Sequence, residues 1–541
     1  MIMISISLLL LIISIILLFN NMFIYMKIPM MMMFSIKFPI SMIIDWISCM
    51  FMSTVLLISS MIMIFSLYYI PKKEHKQFSL MLFMFILSMS ILIISNNLFL
   101  LLLGWDMLGM SSYILVIYYQ NHSSSSSGSI TLLSNRIGDI FILLSISMMM
   151  SQSMWELNFN ESFTLLTLMM LMLASCTKSA QFPFSAWLPM AMSAPTPISA
   201  LVHSSTLVTA GIFLMIRITN TMHPMITMML MLISSLTAIY AGFSANWEQD
   251  MKKIIALSTL SQMAMMMFAI SINSISLAYF HLIIHAFFKS LMFMCAGVMI
   301  HKSSYQDMRM MSMNSTNIPL VISTLGITNA TLMALPFTSG FFSKDMILEK
   351  MISSKFECML TIIMIFSIGM TTSYSIRMMS MSNKMMIKSK PDLSNHSSIL
   401  FQLPIFTMIP MSIMLGALML WTINPEQLLL FPNSYKMYIL ITLISGMLMG
   451  SMSSFKSKKY KTLGQFSISL WFIHFLSTKI MLTYTPLINM FQKNDKNWQE
   501  TYGPTNLFFH NMKTSSIPEM NKYILLMILI MLSIIPMFLL K

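Results

Sequence analysis

The chain has 541 residues, 57% of them hydrophobic and only 9% charged, and its mean hydropathy is +0.79. Soluble domains carry roughly 25% charged residues, so 31 Lys and Arg with 17 Asp and Glu cannot cover a protein of this size with water-facing groups, and an ordinary soluble globule is excluded. The net charge of +14 is concentrated in short basic runs between apolar stretches, Lys72 to Lys76, Lys384 to Lys390 and Lys456 to Lys461, which suits anionic headgroups and leaves no basic soluble domain to hold nucleic acid.

Met1 to Phe19 is apolar from its first residue, with no basic leading stretch and no small-residue cleavage pattern, and reads as a retained first span. That first apolar run reaches about residue 24, and others follow near 41 to 70, 78 to 96, 98 to 119, 130 to 150, 163 to 182, 196 to 219, 224 to 245, 253 to 272 and 275 to 300. Beyond these come runs near 318 to 337, 341 to 351, 356 to 378, 399 to 422, 436 to 453, 463 to 488 and 522 to 540. A spanning helix needs about 20 mostly apolar residues, so the expected fold is an all-α polytopic membrane protein of about 15 to 17 transmembrane helices.

Pro183 to Pro197 (PFSAWLPMAMSAPTP) and Pro336 to Gly340 (PFTSG) interrupt membrane-length apolar sequence. Non-helical backbone at that depth survives only inside protein or beside a wet cavity. Two discontinuous helices are therefore expected, about 150 residues apart, each beside a lysine, Lys178 and Lys344; such a pair points to an ion path and to inverted repeats. The stretch from 485 to 521 is polar and of mixed charge (QKNDKNWQETYGP), and is expected to lie as an amphipathic lateral helix along the membrane surface, pinned by an anchor helix at 522 to 541. The remaining organisation is read as N-terminal spans over 1–97, a core over 98–378 and C-terminal spans over 379–484.

The fifteen glycines form neither G-x-G-x-x-G nor G-x-x-x-x-G-K-[ST], so the common nucleotide loops are missing. Cys49, Cys176, Cys295 and Cys358 are scattered without a C-x-x-C, which argues against a cysteine-held iron–sulfur cluster or a disulfide framework. Ionisable residues nevertheless recur inside apolar helices, where each costs roughly 2.5 to 3.5 kcal/mol on insertion scales and needs a partner, water or a purpose. They include Asp106 in LLLGWDMLGMSSY, Arg136 and Asp139 in SNRIGDIFILL, Lys178 in LASCTKSAQFPF, His203 in SALVHSSTLVTAG, and Lys344 with Asp345 in GFFSKDMILEK.

His281, His285 and Lys289 stand at i, i+4 and i+8, on one stripe of a helix. A metal reading lacks further ligands, since no carboxylate stands beside the histidines as in H-E-x-x-H. Hydrogen bonding to buried carbonyls is the plainer alternative; the lysine one turn on favours a proton relay. Asp106 and Lys178 are natural partners of opposite sign, Arg136 and Asp139 at i, i+3 are able simply to neutralise each other, and Arg217 and Arg377 near span ends are expected to reach headgroups.

The 71 methionines, with abundant Ile, Ser and Phe, suit an A+T-rich genome that reads AUA as Met, as mitochondria often do, and an Arg-rich presequence is missing. GWDMLGMSSYILVIYY, SNRIGD, KSAQFPFSAWLPMAMSAPTPISALVHSSTLVTAG, KKIIALSTLSQ, FHLIIHAFFKSLMF and PFTSGFFSKDMILE, in that order over about residues 98 to 350, resemble the antiporter-like subunits shared by respiratory complex I and the Mrp cation/proton antiporters. The resemblance implies a complex I membrane-arm subunit that moves protons while NADH-to-ubiquinone electron transfer proceeds elsewhere. It implies that Asp106 is an acidic channel partner, Lys178 the paired lysine at the broken helix and His203 a bridging histidine. His281, His285 and Lys289 would be the central relay, Lys344 with Asp345 the outlet toward the intermembrane space, and Asp139 a secondary acidic site.

The resemblance further implies no redox cofactor in this chain, with FMN, iron–sulfur clusters and ubiquinone in other subunits. Partners would be the other membrane-arm subunits, above all the sister antiporter-like ones, with lipids including cardiolipin, and protons. The implied place is the mitochondrial inner membrane, with the gene in the mitochondrial genome. Where many relatives carry Glu, this chain has Asp106, one methylene shorter. Two other readings stand beside this one: an Mrp-type cation/proton antiporter subunit without redox coupling, and a structural stator with a dead channel.

Overall fold

The computed structural model describes residues 2–33, 36–151, 156–157, 163–218, 223–311, 318–353, 358–382, 399–423, 433–452, 461–471, 482–499, 503, 506–507 and 526–527. Two compact units divide the chain, residues 1–471 and 472–541.

In the first unit, α1 (Ile2–Asn20) leads into an antiparallel hairpin, β1 (Ile24–Met33) and β2 (Ile36–Ile44), with Ile24 opposite Ile44. The apolar run expected from 41 to 70 is therefore not all one span. Its first residues are strand, and the helix begins only after Asp45, whose N–H donates to Ser48 Oγ at 2.8 Å. There follow α2 (Trp46–Tyr69), α3 (His75–Ile94), α4 (Leu98–Val116), α5 (His122–Ser151) and α6 (Leu165–Lys178). Past a break come α7 (Thr196–Ile218), α8 (Pro224–Trp247), α9 (Met251–Ser271), α10 (Ile275–Ser303), α11 (Pro319–Met333) and α12 (Ser339–Ser353). The unit closes with α13 (Cys358–Ser382), α14 (Ile399–Ile423), α15 (Asn433–Met452) and α16 (Lys461–Ile468).

Among the described residues, eleven helices are long and apolar enough to cross a bilayer, and Leu165–Lys178, Pro319–Met333 and Met437–Met452 are shorter apolar helices. The all-α polytopic class is as expected. The run near 463 to 488 is not continuous, because α16 ends at Ile468 and Leu470 and Trp471 take left-handed backbone.

Burial sorts the helices by role. Only 17% of the apolar window of α1 is buried and 33% of that of α14, whereas the windows of α7, α9 and α10 are buried completely. α10 is the central post, packed by α2, α7, α9, α11, α12 and α14. A helix that is apolar all round can face lipid, but one carrying Ser, Gln, His and Lys needs protein partners for them, and α7, α9 and α10 are the ones so equipped. Both expected breaks are present: residues 179–195 form turns and short helical pieces, with Ala180 at φ 55°, and α11 and α12 are separated by a turn with Ala334 at φ 62° and Phe337 at φ 67°.

Contacts between connections define two ends. Glu74 meets Tyr118, Ser127 meets Ser193, Lys252 reaches the Ala194 carbonyl, Asp250 pairs with Asp307, Arg377 binds the Glu248 carbonyl, and Tyr68 meets His301. All of these segments therefore share one end. At the other, Lys27 pairs with Glu156 at 2.7 Å, Asp45 with Arg217, and Tyr279 donates to the Ile47 carbonyl at 2.7 Å.

In the second unit, α17 (Thr485–Lys493) continues into a π-helical turn over Asn494–Gln499. Leu487, Ile488, Met490 and Phe491 are exposed on it beside Gln492 and Lys493, the amphipathic character expected of a lateral helix. Most of the stretch 500–521 and the anchor at 522–541, apart from Leu526 and Met527, lie outside the described residues.

Candidate functional site

The site has two parts, one at each side of the α7 to α10 contact. The first gathers on Lys178, the last residue of α6 and fully buried. α6 stops there because the chain turns through Ser179 and Ala180 toward the proline-rich break. Ending the helix on a cation also suits the negative pole of its dipole. Lys178 Nζ donates to the Trp105 carbonyl at 3.2 Å and stands 5.1 Å from the Trp105 ring centroid. Glycine makes the approach of α5 possible, for a Cβ at Gly138 would lie 2.1 Å from Thr177 Oγ1. Asp139, Asp106 and Arg136 are the charges that act on Lys178.

Arg136 ties the acids together, with Nη1 3.1 Å from Asp139 Oδ2 and 3.6 Å from Asp106 Oδ1. Asp106 and Lys178, natural partners by sign, make no direct ion pair. Asp106, whose side chain is 38% exposed, faces outward to Arg136, and Lys178 turns inward to a backbone carbonyl. In the sequence Arg136 stands only as a neutralising partner of Asp139, at i, i+3. The cross-helix contact to Asp106 that makes it a member of the site has no signal in sequence.

The second part lies on α10. His281, His285 and Lys289 are all fully buried along one stripe, the two imidazole centroids 6.2 Å apart. His281 Nδ1 is 2.8 Å from Ser343 Oγ of α12, and its Nε2 is 3.2 Å from Gln262 Oε1 of α9. Lys289 donates to Ser258 Oγ of α9, and Lys344 to the Leu332 carbonyl at the end of α11. Ser258 and Gln262, four residues apart in KKIIALSTLSQ, present one face to the relay. The spacing is a property of the sequence, whereas the helix they face is set by packing. Both His285 nitrogens lack a hydrogen-bond partner among the described residues. Lys344 acts electrostatically on His281, His285 and Lys289, so these four groups form one charge network. Asp345, the next residue, points about 100° around α12 and is half-buried.

His203 stands between the two parts, buried in a π-helical stretch (Ser199–Thr206) of α7, its two ring nitrogens without hydrogen-bond partners among the described residues. π-bulges concentrate at functional sites. The Trp187 ring centroid is 6.1 Å from that of His203, and Trp187 Nε1 donates to the Thr177 carbonyl at 3.0 Å, joining the histidine to the end of α6.

Neither Arg217 nor Arg377 reaches out to headgroups. Arg217 is half-buried and paired with Asp45 over the Phe213 ring, and Arg377 is buried with its guanidinium on the Ala245 and Glu248 carbonyls. The guanidinium nitrogens of each that carry the inward carbonyl or carboxylate bonds are held there, although Nε of both lacks a partner among the described residues.

Three family profiles match the chain. NADH:quinone oxidoreductase/Mrp antiporter, TM, covers residues 95–371; NADH-ubiquinone oxidoreductase (complex I), chain 5 N-terminus, covers 30–79; and NADH dehydrogenase subunit 5 C-terminus covers 374–541. Among curated relatives, the chain is 41% identical over 494 residues to NADH-ubiquinone oxidoreductase chain 5 of Aedes aegypti, covering 88% of this chain and 85% of that one. It is 40% identical to that of Anopheles gambiae (93% and 90% covered) and 38% identical to that of Lumbricus terrestris (92% and 88%). Among solved structures, the Mrp complex from Dietzia sp. DQ12-45-1b shares the fold, with a TM-score of 0.75 at 19% identity. That match covers 99% of this chain, which spans 60% of the length of the matched one.

Proposed function

We propose, from the premise that the chain belongs to the NADH-ubiquinone oxidoreductase chain 5 family, that it is the proton-pumping membrane-arm subunit of complex I, and that Asp106, Asp139, Lys178, His203, His281, His285, Lys289, Lys344 and Asp345 carry the protons. The observation that carries this reading is the set of fully buried lysines and histidines, Lys178 of α6, His203 of α7, His281, His285 and Lys289 of α10 and Lys344 of α12, gathered around the completely buried helices. Fully buried lysines cost several kcal/mol as ions, a cost a merely structural core avoids by using Leu or Met. Lys178 and Lys344 sit on backbone carbonyls, Lys289 on a serine hydroxyl and His281 between a serine hydroxyl and a glutamine side chain. The nitrogens of His203 and His285, unpartnered among the described residues, leave those imidazoles open to take a proton from a water or a neighbour that reaches them. Arg136 would act as the latch: while it holds Asp106, Lys178 stays with the Trp105 carbonyl, and its release would free the acid to draw the lysine.

The basic loops supply the orientation. Lys72, Lys73, Lys76, Lys253, Lys302 and Arg309 stand at the end marked by Glu74 and Tyr118, against Lys27 and Lys37 of the hairpin and Lys350 of α12 toward the other. By the positive-inside rule the first end faces the matrix. His281 stands nearer the hairpin end of α10 than His285 and Lys289, with Ser343 level with it, and Lys344 beside Ser343 would then be the outlet toward the intermembrane space.

The setting we propose is the mitochondrial inner membrane, from a gene in the mitochondrial genome, among sister antiporter-like subunits and lipids including cardiolipin. FMN, iron–sulfur clusters and ubiquinone would belong to other subunits. The profile match over 374–541 and relatives covered to nine-tenths of their length favour this over the Mrp-type reading. Replacing Lys289 with Met in the intact complex tests it. Removing a positioned proton carrier is expected to slow proton delivery by at least about a hundredfold, and a normal proton-to-electron ratio at normal turnover would leave only the stator.

A further inference from the structure

Tyr374, on α13, is fully buried and has no place in the relay just described, yet its hydroxyl stands 3.3 Å from Ser261 Oγ of α9. Ser261 lies three residues beyond Ser258, which holds Lys289, and precedes Gln262, which meets His281. α8 fixes the register of α13 independently of that contact. Ser373 donates to Asn246 Oδ1 at 2.8 Å, Arg377 donates to the Ala245 carbonyl at 2.9 Å, and a Cβ at Gly242 would stand 2.9 Å from Met370 Cβ. α15 presses on the same turn, for a Cβ at Gly450 would lie 2.5 Å from the Ser373 carbonyl oxygen. Tyr374 thus meets α9 from a helix that two other helices hold in place.

A serine hydroxyl has a single proton to give, which fixes the direction of each contact. Ser258 Oγ donates to the Ile255 carbonyl at 2.7 Å, so toward Lys289 it only accepts. Ser261 Oγ donates to the Ser258 carbonyl at 2.9 Å, so toward Tyr374 it only accepts, and the phenol is the donor. The contacts therefore run from the Tyr374 hydroxyl to Ser261 Oγ and on to the carbonyl of Ser258, the residue whose own hydroxyl receives Lys289. A turn of Ser261 disturbs both relay partners, because Ser258 is bonded to it and Gln262 follows it in the chain. The bond to Ser261 is what tyrosine adds here over phenylalanine, which fills the same space without the cost of burying an oxygen.

We propose that Tyr374 is a positioning residue of the pump: its hydroxyl, donated to Ser261, holds the face of α9 on which Ser258 and Gln262 present their oxygens to Lys289 and His281. The proposal rests on the proton-pumping reading. It makes α13, which carries no relay residue, part of the frame that sets the relay's geometry, and the clasp of Ser373 and Arg377 on the end of α8 the anchor of that frame. A tyrosine that only filled the core would contribute to stability and leave proton transfer unchanged when its oxygen is removed.

The test measures NADH-driven proton translocation across a range of pH in vesicles holding the intact complex, with Tyr374→Phe, Ser261→Ala, the double variant and Lys289→Met compared. Tyr374→Phe and Ser261→Ala are each expected to slow coupled turnover by about fivefold, the size of one buried hydrogen bond. Both should shift the pH of half-maximal turnover in the same direction, and the double variant should be no slower than the slower single one, because both remove one bond. Tyr240→Phe is the control, an equally buried tyrosine of α8 whose ring faces Trp471, and it should leave turnover and pH profile as they are. Normal turnover in Tyr374→Phe, an unmoved pH profile, or a double variant slowed by about twenty-five-fold, the product of two independent effects, overturns the proposal. If Tyr374→Phe does not assemble, Ser261→Ala decides alone by the same two readouts. Loss of pumping in Lys289→Met beside a normal Tyr374→Phe sinks the positioning role only, whereas normal pumping in Lys289→Met sinks the relay on which it rests.

Discussion

Gly340, in the first turn of α12, separates what local propensity and tertiary packing each demand. By propensity alone, Ala in place of Gly inside a helix gains about 1 kcal/mol. In the folded protein a Cβ at Gly340 would lie 2.0 Å from the Thr331 carbonyl oxygen and 3.0 Å from its carbon. Both neighbours are backbone, so neither can swing aside as a side chain would. Relief requires α11 and α12 to part by about 1 Å, an overpacking that costs about 3 kcal/mol at the upper end of its usual range. The net is a destabilisation of about 2 kcal/mol, roughly thirtyfold in the population of the native turn.

The carbonyl beside the clash is that of Leu332, which holds Lys344, so Gly340→Ala should also impair pumping. Gly326→Ala in α11 is the control, because its Cβ meets only the flexible Met379 Cε, at 3.3 Å. Native-gel assembly after graded heating, with the proton-to-electron ratio of the surviving complex, measures both effects. If Gly340→Ala assembles with heat stability equal to that of Gly326→Ala and pumps normally, the reasoning about this close approach is wrong.

Arg136→Met should lower coupled turnover by about tenfold, equivalent to about 1.4 kcal/mol, by leaving Asp106 and Asp139 without their shared cation, and Arg136→Lys should recover part of it. Proton pumping in vesicles measures both. Arg377→Met leaves the Ala245 and Glu248 carbonyls short of a donor and should destabilise the α8 to α13 contact by about 2 to 3 kcal/mol, read as loss of assembled complex on heating. At the end marked by Glu74 and Tyr118, burial alone would raise the Asp307 carboxyl, but the Arg309 hydrogen bonds and charge outweigh it and hold it below its ordinary value. A depressed carboxyl stabilises above its unfolded value of about 3.9 and loses that contribution as pH falls through the folded value. The Met308 to Gln249 and Met251 to Gln306 backbone bonds should therefore loosen only in acid below about pH 4, seen as faster amide exchange after correction for intrinsic rates, and Arg309→Met should abolish that pH dependence.

The apolar runs, the two proline-rich breaks and the His281, His285, Lys289 stripe are properties of neighbouring residues, and the chain alone determined them, because hydropathy and a 3.6-residue period act over a few turns. It also marked Lys178 and Lys344 as costly at membrane depth. What it left undetermined was who satisfies them. Asp106 and Lys178 are opposite charges with nothing between them in the sequence to forbid a pair, yet Arg136, thirty residues from Asp106, takes the acid while a carbonyl one residue away from it takes the lysine. Arg217 and Arg377 carry the same residue type at the same kind of position as headgroup-seeking arginines, and only the approach of Asp45 and of the α8 carbonyls turned them inward. The hairpin before α2 reads as apolar filler until its two strands pair. Partners for buried charge come from helices brought together by packing. That choice depends on distances between segments far apart in the chain, which the tertiary structure alone decided.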